Sequence, residues 1–194
     1  MAVREILAFP HPVLKQKCAE VTHFDGALHA LLDDMAATMQ QADGIGLAAN
    51  QVGEAVRVFV MDVPVNRGSE DKDPARTGRI EVINPRILAQ RGEIKYEEGC
   101  LSFPGMSETV LRAAEIDIAF QDRSGTAQTV TAEGLVAVCM QHELDHLNGI
   151  TFIDRLSPFK RRIAMREYLR QNRELIDDQA LREKRKARRA HANG

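Results

Sequence analysis

Gln141-His142-Glu143-Leu144-Asp145-His146 is the stretch on which the reading of this chain turns. It falls in a run from about Leu135 to Leu147. The apolar residues Val136, Val138, Met140 and Leu144 in that run predict a helix buried among strands, with Gly149 as its stop signal. Two histidines four residues apart lie on one face of such a helix, close enough for both imidazoles to hold one metal ion. Glu143, beside the first histidine, is then placed to move protons for a water that the metal activates.

A catalytic two-histidine site needs a third protein ligand and an open position. Downstream, Asp154 is the first carboxylate, followed by Glu167 and Glu174 in a basic, helix-like tail and by His191 near the chain end; none is well placed. Upstream lie three cysteines, Cys18, Cys100 and Cys139, and thiolate suits zinc or ferrous iron. Cys139 shares the helical stripe of His142. However, a metal held by both histidines sits near the level of residue 144, ~7.5 Å along the axis at ~1.5 Å per residue. A short side chain and a Zn–S bond of ~2.3 Å do not span that comfortably, so Cys139 reads as a buried apolar side chain. Cys18 sits in an unremarkable stretch. Cys100 lies in Glu97-Glu98-Gly99-Cys100-Leu101-Ser102-Phe103-Pro104-Gly105. That is a strand end running into a Gly/Pro-punctuated loop, a place from which a ligand can be aimed at a helix.

Three segments carry a resemblance: Gly44-Ile45-Gly46-Leu47-Ala48-Ala49-Asn50-Gln51-Val52-Gly53, Glu98-Gly99-Cys100-Leu101-Ser102, and the HExxH stretch. In order and spacing the chain resembles the peptide deformylase family from about Ile6 to Leu169. It departs at Asn50, where family members often carry Pro or Thr, and at Gly105-Met106-Ser107, where some carry a basic residue near the peptide-binding cleft. The resemblance implies a hydrolase that takes the N-formyl group from the initiating methionine of nascent polypeptides and releases formate. It implies one divalent metal on Cys100, His142 and His146. Fe2+ is the family's usual metal, and Zn2+, Ni2+ or Co2+ are compatible with the donors. Glu143 would serve as general base and then acid. The Gln51 side chain and the Leu101 backbone N–H would donate to the developing oxyanion. Gly44 and Gly46 would let the backbone come close to a substrate, or serve only a tight turn. Ile45, Leu135, Val138 and Cys139 would form a methionine pocket, although buried aliphatics need no function. Glu98 would either accept a hydrogen bond from a metal ligand or pair with Arg112. Two alternatives belong to other classes: a zincin-like metallopeptidase, and a noncatalytic metal-binding module associated with ribosomes.

Composition agrees with one compact cytoplasmic enzyme. The chain has 194 residues, enough for a proper core; 44% are hydrophobic and 28% charged. The start, Met1-Ala2-Val3-Arg4-Glu5-Ile6-Leu7, has no long apolar run, so neither a signal peptide nor a membrane partner is expected. Three cysteines do not make a disulfide framework. The net charge of -2 hides an asymmetry: residues 155–194 hold 13 Lys/Arg against 5 Asp/Glu, while residues 1–154 hold 13 against 23. This divides the chain into a catalytic unit, 1–154, and a basic helical extension, 155–194, that is part of the same compact unit. The extension reads as one helix from about Pro158 to Arg189. Its basic end is either a solvated terminus that suits the helix dipole or a surface for an anionic partner. The resemblance implies the ribosome as that partner, and DNA is not expected.

The remaining layout predicts an α+β fold of antiparallel strands around the HExxH helix. A first helix covers about Asp25 to Gln41, with Asp25 as N-cap, followed by a glycine-bearing loop from Asp43 to Gly53. Strands are expected at Arg57–Val63, Glu81–Ile83, Glu93–Tyr96, Glu115–Asp122 and Ala127–Glu133, with a hairpin turn at Asp122-Arg123-Ser124-Gly125. Pro64 to Gly78 reads as an exposed loop.

Overall fold

The computed structural model describes residues 2–63 and 78–192, so the expected loop at 64–77 lies outside the described residues. Helix α1 spans Gly26–Gln41, and the Asp25 carboxylate accepts the Ala27 and Leu28 N–H groups. This satisfies two of the donors that a helix start leaves free. A mixed α/β architecture follows, with antiparallel sheets and C-terminal helices.

The larger sheet has five strands in the order β1 (Gly46–Ala48), β2 (Val58–Val63), β3 (Gly78–Arg91), β6 (Glu115–Gln121), β7 (Ala127–Glu133), all antiparallel. Successive side chains of a strand point to opposite faces, and β2 buries both. Val58 and Val60 join the core formed by Leu28, Leu31, Leu32, Met35 and Met39 of α1. Phe59, Met61 and Val63 join the core of helix α2 (Gly134–Leu147), with Val136, Ala137 and Met140. Every residue of α2 from Leu135 to Leu147 is buried. Gly149 ends the turn after it at φ 72°, where an added Cβ would meet the Lys15 carbonyl oxygen at 2.5 Å.

A two-stranded sheet pairs β4 (Ile94–Gly99) with β5 (Ser107–Arg112). The connection between them, residues 100–106, carries Cys100 and folds over Phe103. Phe103 packs against Phe9, Phe152 and Tyr168.

Several expectations need correction. The 43–53 loop contains β1 and a 3-10 turn, Ala49–Val52. Strand β3 does not stop at Ile83. It continues past Asn84-Pro85 because a bulge there absorbs the proline, with Asn84 at φ 52° and its amide bound to Val21 and Gln121. Strand β5 was not anticipated. The basic tail is not one helix. It breaks at Asn172 into α3 (Pro158–Gln171) and α4 (Arg173–Ala192). Asn172 leaves helical geometry, and its side-chain amide donates to Pro104 and Tyr168 carbonyls. That contact turns α4 toward the N-terminal segment, where Arg182 pairs with Glu5. No helix among the described residues is long and apolar enough to cross a membrane.

Candidate metal centre

Helix α2 and the β4–β5 connection bring Cys100, His142 and His146 together. One donor atom from each lies within 4.8 Å of the others, and Cys100 Sγ is 3.2 Å from His146 Nε2. The two imidazoles are 5.1 Å apart, edge to face, as an i, i+4 pair on one helical face should be. His146 is fully buried and its Nδ1 has no hydrogen-bond partner among the described residues. Burial, with positive His142 and Arg112 beyond it, holds His146 well below the usual imidazole range, so it is a neutral, ligand-competent base. A sulfur and two imidazole nitrogens converging in a buried spot are the donor set that zinc or ferrous iron takes.

The other ring is oriented from behind. His142 Nδ1 lies 2.8 Å from Glu98 Oε2, which leaves Nε2 to face Cys100. Glu98 also takes a bidentate pair from Arg112, at 2.7 and 2.9 Å. Sequence left these two roles of Glu98 as alternatives; the structure contains both. Arg112 reaches on to Asp145 at 2.5 Å, and Asp145 to Arg155. Burial would raise the Glu98 pKa, but the bonds from Arg112 and His142 outweigh it and bring it down to about 2. Burial likewise pulls His142 down, and the Cys100 sulfur and Glu98 carboxylate outweigh it, so its pKa is raised. Metal binding must displace that proton.

Glu143 points elsewhere. Burial, with Glu98 adding to it and His142 opposing, lifts its pKa to about 7, and its Oε2 has no partner among the described residues. A carboxylate poised near neutrality can take a proton and return it. Gln51, 1% exposed, is held by its own Oε1, which accepts the Ala48 N–H at 2.8 Å. Its Nε2 is thereby turned to Ser102 Oγ at 3.2 Å and Cys100 Sγ at 3.6 Å.

A cleft of about 620 Å3 opens beside these groups. Gly44, Ile45, Gly46, Gln51, Cys100, Leu101, Leu135, Val138, Cys139, His142 and Glu143 all line it, together with Gly105, Met106 and Ser107. Cys139 is kept out of the ligand cluster. Its Sγ lies 3.6 Å from the Ile45 carbonyl, and burial, with Glu143 and Glu98 nearby, raises its pKa. Cys18 is remote and buried, which pushes its pKa to about 11.

The family model for polypeptide deformylase matches residues 3–162. The chain belongs to the peptide deformylase family. It is 42% identical to the peptide deformylase of Wolinella succinogenes, over 87% of this chain and 96% of that one. With that of Syntrophobacter fumaroxidans it shares 45% identity, over 90% and 98%. The crystal structure of a peptide deformylase from Legionella pneumophila superimposes with a TM-score of 0.79 at 40% identity, covering 90% of this chain and 98% of that one. That of Ehrlichia chaffeensis, in complex with actinonin, gives 0.81 at 37% identity, covering 89% and 99%. The family removes the N-formyl group from nascent peptides, and this deformylase shares that activity. The peptidase and noncatalytic readings give way to it.

Three features of the site carried no usable signal in sequence. Ser102 closes one of the three quoted segments but was given no role there; it is fully buried against Gln51. The Arg112–Asp145–Arg155 chain joins residues too distant in sequence to be paired. Asn50 was noted only as a departure from the family pattern, and its Nδ2 donates to the His146 carbonyl at 2.6 Å, which ties the 3-10 turn to the end of α2.

Proposed function

We propose that Cys100, His142 and His146 hold one divalent metal, with Fe2+ favoured by family and Zn2+, Ni2+ or Co2+ compatible. The single observation that carries this reading is the convergence of one sulfur and two imidazole donors with Glu143 beside them, its pKa near neutrality. On this reading α2 is the central metal-binding helix of a catalytic unit, residues 1–154, and the support for it is the packing of β1, β2, β6 and β7 against α2. Residues 155–194 extend that unit.

A bound metal supplies Lewis acidity that makes a water nucleophilic near neutral pH. Glu143 takes the water proton and delivers it to the leaving amine. The Gln51 Nε2, aimed by the Ala48 N–H, donates to the oxygen on which charge develops, and the Leu101 N–H is the second donor. Glu98 keeps the His142 ring in one tautomer and orientation. The narrow strip Gly44-Ile45-Gly46 admits an extended peptide. Leu135, Val138 and Cys139, one helical stripe with His142, join Ile45 as the wall for the methionine side chain.

Glu143→Gln tests the assignment. The amide preserves shape and cannot accept the proton, so it keeps stoichiometric metal and loses about 10²–10⁴-fold in formate release from a formyl-Met peptide. A metal-replete variant with wild-type turnover would remove Glu143 from the role.

The substrate is met in the cytoplasm, and the basic face of the C-terminal helices serves as the ribosome contact. Its support is the excess of 13 Lys/Arg over 5 Asp/Glu in residues 155–194.

A further inference from the structure

Helix α4 is polar and mostly exposed, yet Gln179 on it is only 8% exposed. Its carboxamide bonds both polar groups of one backbone residue, Ala8, whose carbonyl also accepts the His11 N–H at 3.1 Å. Oε1 accepts the Ala8 N–H at 2.8 Å, and Nε2 donates to the Ala8 carbonyl at 2.8 Å. The residues flanking Ala8 bond inward. Leu7 N–H donates to the Gln51 carbonyl and Phe9 N–H to the Ser102 carbonyl, each at 2.8 Å. The Tyr168 hydroxyl of α3 donates to the Phe9 carbonyl at 2.9 Å. Gln51 and Ser102 are themselves joined side chain to side chain, and both adjoin Cys100.

The geometry points to Gln179 as a positioning residue: by clamping Ala8 it holds residues 7–9 against Gln51 and the Cys100 loop. This rests on Cys100 being a metal ligand and adds that the C-terminal extension braces the loop presenting it. A glutamine is required because the clamp needs a donor and an acceptor on one planar group. An apolar residue leaves the buried Ala8 N–H unpaired and its carbonyl with the His11 N–H alone, at 3.1 Å, which favours local opening of the segment. Glutamate keeps one bond and sets a carboxylate oxygen against the Ala8 carbonyl.

Two rates read the brace, both in the full chain well below its Tm. The first is alkylation of Cys100 by iodoacetamide in metal-free protein, resolved by mass spectrometry. The second is zinc release from zinc-loaded protein to a chelator. Gln179→Leu and Gln179→Glu should each raise both rates by about tenfold or more. Arg182→Ala, which removes only an exposed ion pair of the same helix, should change them by less than about twofold. Leu28→Ala, in the α1 core, lowers Tm without touching the brace and should leave both rates equally near wild type. If the Gln179 variants were no faster than Leu28→Ala, the brace would be refuted, and Gln179→Glu carries the test should Gln179→Leu not fold. If zinc fails to bind wild type while alkylation still accelerates in the variants, the metal assignment fails and the brace stands.

Discussion

Gly46→Ala probes how the catalytic carboxylate is held. A Cβ built on Gly46 would lie 2.4 Å from Glu143 Oε1, 2.9 Å from its carboxyl carbon and 2.9 Å from Cys139 Sγ. Ordinary contact begins at 3.4 Å, so Oε1 must retreat by about 1 Å, and a displacement of that size typically costs about 10²-fold in rate. Cys139 is 4% exposed and cannot swing clear. Glu143 Oε2 has no hydrogen-bond partner among the described residues, so the carboxylate is the group that moves, at the expense of its contact with the Ala48 N–H. Overpacking of this kind also costs ~1–3 kcal/mol of stability, which a melting curve separates from the catalytic effect. The assay is formate release from a formyl-Met peptide, with metal content measured on the same anaerobic sample. The expected result is kcat down about 10²-fold with metal retained. Because the methyl acts through Glu143, the double variant with Glu143→Gln should be little slower than Glu143→Gln alone. Near-wild-type turnover in folded Gly46→Ala, or a double variant that loses the product of the two single effects, would refute the reasoning.

Two further outcomes follow from residues around the site. Asp154 is shifted up by burial, but bonds from Lys15 and from the Thr151 N–H and hydroxyl outweigh this, so its net pKa is lowered. A lowered folded pKa stabilises above the unfolded value and is lost as pH falls through the folded one; Asp154→Asn should therefore lower Tm at pH 7 and flatten the Tm decline below about pH 4, measured by thermal melts across pH. Removing residues 182–194 deletes the exposed Arg182–Glu5 pair and six of the 13 Lys/Arg of the extension but keeps Gln179. Turnover of a short formyl-Met peptide should stay near wild type, while co-sedimentation with ribosomes should weaken. Binding by the intact chain should also fall with salt, because charges are screened over ~8–10 Å.

The parts legible in sequence were those whose signal is local. The HExxH spacing, the α1 apolar face with Asp25 at its start, and the alternation in β6 and β7 each lie within a few turns or pairs. Strand β5 was missed because its two buried side chains are Val110 and Arg112, and a buried arginine reads as exposed until Glu98 and Asp145 are seen across from it. Strand β3 was cut short because Asn84-Pro85 looks like a terminator, and only tertiary bonding to Val21 and Gln121 carries the chain through. The break at Asn172 and the burial of Gln179 were hidden for one reason. Both are polar residues in a polar helix, and their partners, Pro104 and Ala8, offer backbone atoms that leave no side-chain signature. The cluster of Cys100, His142 and His146 could be sought from sequence because the reach of a short thiol argues against Cys139, whose sulfur lies against the Ile45 carbonyl.

The most direct measurement is anomalous diffraction at the metal edge from anaerobically loaded crystals. One metal is predicted, bonded to Cys100 Sγ and to Nε2 of His142 and His146, with a sulfur bond of ~2.3 Å for zinc and a position left open on the cleft side. A metal bonded to Cys139 or Cys18, or a fourth protein ligand closing that position, would contradict the account.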